Sequence, residues 1–381
     1  MKKNILLIGL TLLSFCSFSQ ITIVDSIFSG GMYRNYRLYV PAAYTGSSAR
    51  PLIINMHGYT SNALQQQFYS NFTPIADTAN FLMVFPNGTF SGTSQYWNAG
   101  ISTAGANDIG FLSNLIDSLK ASYNIDLNCV YSTGMSNGGF MSHTLACELS
   151  NRITAIASVT GSIFITQFGS NCHPTRPIPV MQVHGTADGT VPYIGNSTMV
   201  PVDSVVKYWV TKNSCNPVPS YSAVPNISTT DGCTADHYLY SGGSLGSTVE
   251  LYKVNGGAHT WPGAPIAIGV TNQDFIASKE IWRFFRPFKL NALTNILHSE
   301  KENLNFKLFP NPAANTISLM FDGYENKTKT VVITSIIGEQ VSEAILTNDK
   351  VINVNKLDKG IYTLTLLIDG KAISNTKFIK E

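Results

Sequence analysis

The stretch "CVYSTGMSNGGFMSHTLACE", Cys129 to Glu148, decides how the rest of the chain is read. It begins with strand-forming residues around Val130 and Tyr131. It ends with Met141 and Leu145 on a helical stripe that continues to Leu149. Between the two halves lie Gly134, Gly138 and Gly139, with Ser136 among them. The spacing predicts a strand that bends sharply into a helix, with glycine where backbones pass close and one serine at the bend.

The same alternation extends outward in both directions. "RPLIINMHG" reads as a short buried strand, "SNALQQQFYSNFTPIADTAN" as helical, and "FLMVFPNG" as the next strand. Ile109, Leu112, Ile116 and Leu119 mark a helix, "ITAIASVTG" and "IPVMQVHG" two further strands, and Val202 to Val210 a helix with a clean apolar face. "STVELYKVNGG" is a last core strand and "NQDFIASKEIWRFF" a closing helix. Strand–helix alternation of this kind implies a mostly parallel sheet covered on both faces. An antiparallel hairpin around Gly30 and Gly31 precedes it. After residue 287 the texture changes. Residues 288–305 are polar and read as a linker, and from Phe306 onward the pattern is period-two, as in "IYTLTLLI". The expected organisation is a signal peptide over 1–19, an α/β domain over 20–287, the linker, and a small all-β, sandwich-like domain over 306–381.

The signal peptide rests on Lys2 and Lys3 followed by "ILLIGLTLLSF", with small residues Ser17 and Ser19 before Gln20. A lipid-anchored alternative at Cys16 is disfavoured by the bulky Phe15 before it. Charged residues make up only 13% of the chain and the net charge is +2, which carries no nucleic-acid footprint. Five cysteines remain after the signal: Cys129, Cys147, Cys172, Cys215 and Cys233. None forms a CxxC pair, and no HExxH spacing occurs, so neither a catalytic metal nor another cofactor is expected.

Gly134-Met135-Ser136-Asn137-Gly138 fits the G-x-S-x-G pattern of a nucleophilic serine. Such a serine needs a general base and an acid to orient it. Asp188 lies just past the strand "IPVMQVHG", where active-site groups of a parallel sheet gather. His259 lies in a glycine-rich loop just past the last core strand. Each has a plainer reading, as a turn aspartate and a loop histidine. In this order, each past a strand end, they form a candidate triad. An oxyanion would be held by the backbone N–H of Asn137 and by an N–H of "MHGYTSN", for which Tyr59 is chosen and Thr60 is the alternative. Trp97 in "SQYWNAG" and Trp261 beside His259 are candidate substrate-binding walls.

"MHGYTSN", "GMSNGGFMSHTLACE", "VHGTADGTVPY" and "GGAHTWPG" together resemble the secreted feruloyl and acetyl-xylan esterases of carbohydrate esterase family one, and equally the polyhydroxybutyrate depolymerases. The resemblance spans about residues 30 to 287. It implies the α/β-hydrolase fold, serine esterase activity and a triad of Ser136, Asp188 and His259. It also suggests a disulfide between Cys215 and Cys233; apart from the resemblance, Cys147 and Cys172 are a weaker second candidate pair. "FKLFPNPAANTISL", "GEQV" and "LDKGIYTLTL" resemble the C-terminal sorting domain of type IX secretion, which implies an extracellular or cell-surface protein whose partner is that machinery. The expected function is hydrolysis of feruloyl or acetyl esters on plant polysaccharide. A secreted polyester depolymerase is the alternative, and a non-catalytic binding protein on a hydrolase scaffold is an alternative of another class.

Overall fold

A computed structural model describes residues 20–100, 105–290 and 307–381, apart from 322–323, 325–326, 336–339, 348–349 and 370. The expected signal peptide and residues 291–305 of the expected linker lie outside the described residues. The chain divides into two compact units near residue 293.

In the first unit the strands are β1 (Ile21–Ser29), β2 (Met32–Val40), β3 (Arg50–Met56), β4 (Leu82–Pro86), β5 (Thr89–Ser91), β6 (Ser94–Tyr96), β7 (Ile125–Met135), β8 (Ala155–Val159), β9 (Val180–Gly185), β10 (Ser220–Ala223), β11 (Thr234–Tyr240) and β12 (Val249–Asn255). The helices are α1 (Ala63–Ser70), α2 (Thr73–Ala79), α3 (Asp108–Ser122), α4 (Asn137–Glu148), α5 (Val202–Lys212) and α6 (Ala277–Phe285). Ten strands form one sheet in the order β1-β2-β4-β3-β7-β8-β9-β12-β11-β10, while β5 and β6 form a separate hairpin. The run from β4 through β12 is parallel. Antiparallel pairs close both edges.

Successive side chains of a strand point to opposite faces, and β3 shows the consequence. Leu52, Ile54 and Met56 join one apolar core and Ile53 the other. α4 and α5 cover the first face and α6 the second. Each fully buried aliphatic side chain stabilises this arrangement by about 2 kcal/mol.

The sequence predicts one helix after β3, and there are two. Asn71 ends α1 in a left-handed conformation, and Pro74 opens α2. The sequence pattern does not announce β10 and β11: β11 is only half-buried, so its apolar alternation is weak. The expected Cys215–Cys233 disulfide is absent. Both are free thiols, because Cys215 follows α5 in the core of one face while Cys233 sits in the core of the other, with the sheet between them. Cys147 and Cys172 lie in one core, with Cα atoms 4.8 Å apart, and are bonded. Cys129 is a buried free thiol.

The second unit is all β, with β13 (Lys307–Phe309), β14 (Thr316–Met320), β15 (Lys329–Ser335), β16 (Gln340–Ile345), β17 (Val351–Asn353), β18 (Gly360–Ile368) and β19 (Lys371–Lys380). A three-stranded sheet, β13-β14-β17, accompanies a four-stranded one, β16-β15-β18-β19. The alternation in β18 buries Tyr362, Leu364, Leu366 and Ile368 in a core of the unit's own.

Candidate active site

The bend between β7 and α4 sets the site. Ser136 has φ 53° and ψ −120°, a conformation outside the comfortable regions for a residue with a side chain. Its N–H is tied to the Val159 carbonyl at 2.8 Å. A methyl group on Gly134 or Gly138 would collide with the Met56 carbonyl oxygen of the neighbouring strand end. The glycines therefore let β3 pass close enough to hold the bend.

Asp188 lies just beyond β9 and is buried. Its Oδ1 accepts the N–H groups of Thr190 at 2.9 Å and Val191 at 2.8 Å. Its Oδ2 accepts Nδ1–H of His259 at 2.7 Å. Burial opposes ionisation, but the hydrogen bonds from His184 and His259 and the Val191 N–H outweigh it, holding the carboxyl well below the usual range. The bond to Asp188 fixes the proton of neutral His259 on Nδ1 and leaves Nε2 as the basic nitrogen.

Ser136 and His259 line one cavity of about 430 Å³ together with Gly58, Tyr59, Phe68, Tyr69, Met135, Ile266 and Ile268. In the loop after β3, the Thr60 N–H is engaged by the Gln95 carbonyl at 2.9 Å, which removes the alternative donor. The Tyr59 N–H has no partner among the described residues. The Asn137 N–H belongs to the first turn of α4, where backbone donors lack intrahelical acceptors. Gly58 packs against Ser136, where an added methyl would lie 3.3 Å from the Ser136 Cβ. The two expected donors thus lie on chain segments that meet at the serine.

The two tryptophans do not line this cavity. Trp97 is fully buried. Its N–H donates to Asn137 Oδ1 at 2.6 Å, Asn137 Nδ2 donates to its carbonyl at 3.0 Å, and its indole N–H donates to the His57 carbonyl at 3.0 Å. It braces the residue after the serine against the loop carrying Tyr59. Trp261 is buried beneath the histidine loop, edge-on to Phe72, with its indole N–H on Ser278 Oγ at 3.0 Å. The assignment of both as substrate walls is corrected: position near the cleft does not set side-chain direction, and both rings point into cores. The walls are Phe68, Tyr69, Met135, Ile266 and Ile268. A signal for some of them was present, since Leu64 and Phe68 sit four apart on α1, exposed and apolar.

His57 and His237 have other partners. His57 is buried, with Nδ1 on the Gly58 carbonyl at 2.7 Å and Nε2 accepting the Gly88 N–H at 2.9 Å. Burial lowers its pKa to about 4. His237 pairs with Glu250 at 2.8 Å. Asp108 of "DIGFL" makes a buried ion pair with Arg34 at 2.6 Å and accepts the Asn98 N–H at 2.7 Å, a structural role.

Comparison with known proteins follows these two units. Residues 34–197 match the family described as esterase PHB depolymerase, and residues 307–381 match the secretion system C-terminal sorting domain. Feruloyl esterase B of Piromyces equi is 29% identical over 229 residues, covering 58% of this chain and 41% of the relative. A bifunctional acetylxylan esterase/xylanase of Neocallimastix patriciarum is 31% identical over 175 residues, covering 45% and 24%. The chain thus spans less than half the length of these two relatives. Feruloyl esterase D of Neurospora crassa is 26% identical over 269 residues, covering 68% and 83%. Among solved structures, an acetyl xylan esterase from Aspergillus awamori superposes with a TM-score of 0.50 at 14% identity, covering 69% of this chain and 99% of that one. The fold of the first unit is the α/β-hydrolase fold. The C-terminal match indicates type IX secretion to the exterior or the cell surface.

Proposed function

We propose that the protein is a secreted serine esterase that cleaves feruloyl or acetyl esters on plant polysaccharide through an acyl-enzyme. Ser136 is the nucleophile, His259 the general base and Asp188 the acid that orients it. His259 Nε2 takes the hydroxyl proton as Ser136 Oγ attacks the ester carbonyl. The N–H groups of Tyr59 and Asn137 receive the oxyanion, each such donor being worth about 3 kcal/mol in the transition state. His259 then gives its proton to the departing sugar hydroxyl. Water, activated by the same nitrogen, releases the acid and restores the serine.

The observation that carries this reading is the convergence of the strained Ser136 and the Asp188-bound His259 on one cavity. Its apolar lining and its size suit a flat aromatic acyl group better than a charged one. The named activities of the relatives support the same substrate class. The filled triad argues against a non-catalytic scaffold. A second reading, polyester hydrolysis, draws on the family match and on exposed Phe68, Ile266 and Ile268 lining the cavity, a surface suited to an apolar polymer.

A panel of methyl ferulate, acetylated xylan and polyhydroxybutyrate film separates these readings. Turnover of the first two is expected. Clearing of the film without ferulate release would favour the second reading. The C-terminal unit takes the type IX machinery as its partner, so a chain lacking 307–381 should retain esterase activity and stay in the periplasm of the native host.

A further inference from the structure

Beneath Asp188 lies a run of buried polar side chains that the reaction scheme does not use. Trp209 of α5, His143 of α4, and Gln182 and His184 of β9 are each at most 1% exposed. The Trp209 indole N–H donates to His143 Nδ1 at 3.2 Å. His143 Nε2 meets Gln182 Oε1 at 3.1 Å. Gln182 Nε2 meets His184 Nδ1 at 3.1 Å and the Gly161 carbonyl at 2.8 Å. His184 Nε2 meets the Val191 carbonyl at 2.8 Å and Asp188 Oδ2 at 3.3 Å.

The direction of every bond in this run is fixed, and from two ends. An indole nitrogen can only donate, so His143 Nδ1 carries a lone pair and its proton sits on Nε2. That proton faces the Gln182 oxygen. Independently, only the amide NH₂ of Gln182 can face the Gly161 carbonyl, which sets the same amide orientation. The NH₂ then requires a lone pair on His184 Nδ1 and a proton on His184 Nε2. That proton has two acceptors, a carbonyl and the Asp188 carboxylate. The chain is neutral throughout, and protonating either histidine would set two donors face to face. Burial keeps His143 neutral, its pKa lowered to about 4.

We propose that His184 is a positioning residue of the reaction, the last member of a one-way chain of neutral hydrogen bonds that starts at Trp209 and keeps Asp188 an ionised acceptor aimed at His259. This rests on the catalytic reading of Ser136, Asp188 and His259. The carboxylate faces four donors: the N–H groups of Thr190 and Val191, His259 Nδ1–H and His184 Nε2–H. None can accept a proton, so a protonated Asp188 would have nowhere to donate. The same His184 proton, held by the Val191 carbonyl, closes the turn from Asp188 to Val191 that presents the carboxylate. When His259 becomes imidazolium in the transition state, its counter-charge is thereby already in place and already oriented.

The test uses the full chain with His184→Gln, which keeps a donor near the Nε2 position, and His184→Leu, which removes it. With a short nitrophenyl ester, His184→Leu should lower kcat about 30-fold with KM within about twofold, and His184→Gln should recover most of the loss. A structural role alone would move kcat only in step with the folded fraction. In wild-type protein, long-range ¹H–¹⁵N correlation should show His143 and His184 as Nε2–H tautomers, and His143 should not titrate between about pH 5 and 8. Wild-type kcat in folded His184→Leu overturns the proposal. So does equal loss in the Gln and Leu variants, or an Nδ1–H tautomer on His184. If His184→Leu does not fold, the tautomers in the wild-type protein decide. Activity surviving in Ser136→Ala would instead sink the catalytic reading and leave the tautomer result standing.

Discussion

The two sides of His259 are built on opposite principles. On the acid side, Asp188 is buried, held by four donors, and backed by side chains whose hydrogen bonds run in one direction. On the acyl side, Ser136 faces a cavity walled by Phe68, Tyr69, Met135, Ile266 and Ile268, which offers shape and apolar surface and few fixed polar contacts. The acid side tolerates only one arrangement of protons. The acyl side constrains its occupant mainly by size. On the proposed catalytic reading, proton transfer is served by a rigid arrangement, while substrate choice would rest on side chains that can change without disturbing it.

The largest expected effect tests the rigid side. Ser136→Ala and His259→Ala should each lower kcat by about 10⁴-fold with the fold intact, and Asp188→Asn by somewhat less. More than a few per cent of activity in Ser136→Ala, on the same ester and at equal folded protein, would break the comparison at its root.

Buried neutral histidines should also make folding sensitive to acid. Burial lowers His57 and His143 to about 4. Below the unfolded value of about 6.5 the unfolded chain takes up protons that these groups in the folded chain refuse, so stability falls as pH drops from about 6.5 to about 4. The loss at pH 5 is about 2 kcal/mol per histidine. Asp188 acts in a lower window: its depressed pKa stabilises the fold above about 4, and that contribution is lost as pH falls further. Urea midpoints at pH 7.5 and 5.0 measure the first window; equal midpoints would mean that these histidines are not held neutral.

The Cys147–Cys172 bond joins the end of α4, the helix that carries His143, to a distant loop across a sequence separation of 25. Replacing both cysteines by serine should cost about 3 kcal/mol of stability while kcat at low temperature changes little. An unchanged Tm would remove the bond from the account of this side's rigidity. On the acyl side, Phe68→Ala should lower kcat/KM for methyl ferulate about tenfold while nitrophenyl acetate changes less than about threefold, since one lost apolar contact is worth 1–3 kcal/mol. Equal loss on both esters would make Phe68 structural and weaken the case for an aromatic acyl group.

What the sequence reveals follows the same division. That Asp188 meets His259 and that His259 shares a cavity with Ser136 is legible because each sits at a strand end, and strand ends can be read from apolar runs. The face on which a residue lands is harder to read. Cys215 and Cys233 are close in sequence, yet they fall in the cores on opposite sides of the sheet. The sequence puts Trp97 at the right end of the sheet but not on the right side of its loop, because Asn137 and His57 draw its polar groups inward. The run from Trp209 to Asp188 joins α5, α4 and β9, elements far apart in the chain, and no local pattern announces it. The acyl-side walls escape a sequence reading for a different reason: exposed Phe68 and Ile268 look like ordinary surface until the cavity brings them together.

The central claim, that Ser136 is a nucleophile activated by an Asp188-bound His259, is tested most directly by covalent labelling. The full chain is treated with a fluorophosphonate probe and the adduct is located by peptide mapping. A single adduct is expected on the peptide bearing Ser136, absent from Ser136→Ala and formed far more slowly in His259→Ala. An adduct on another residue, or none in protein that still hydrolyses short esters, would contradict it.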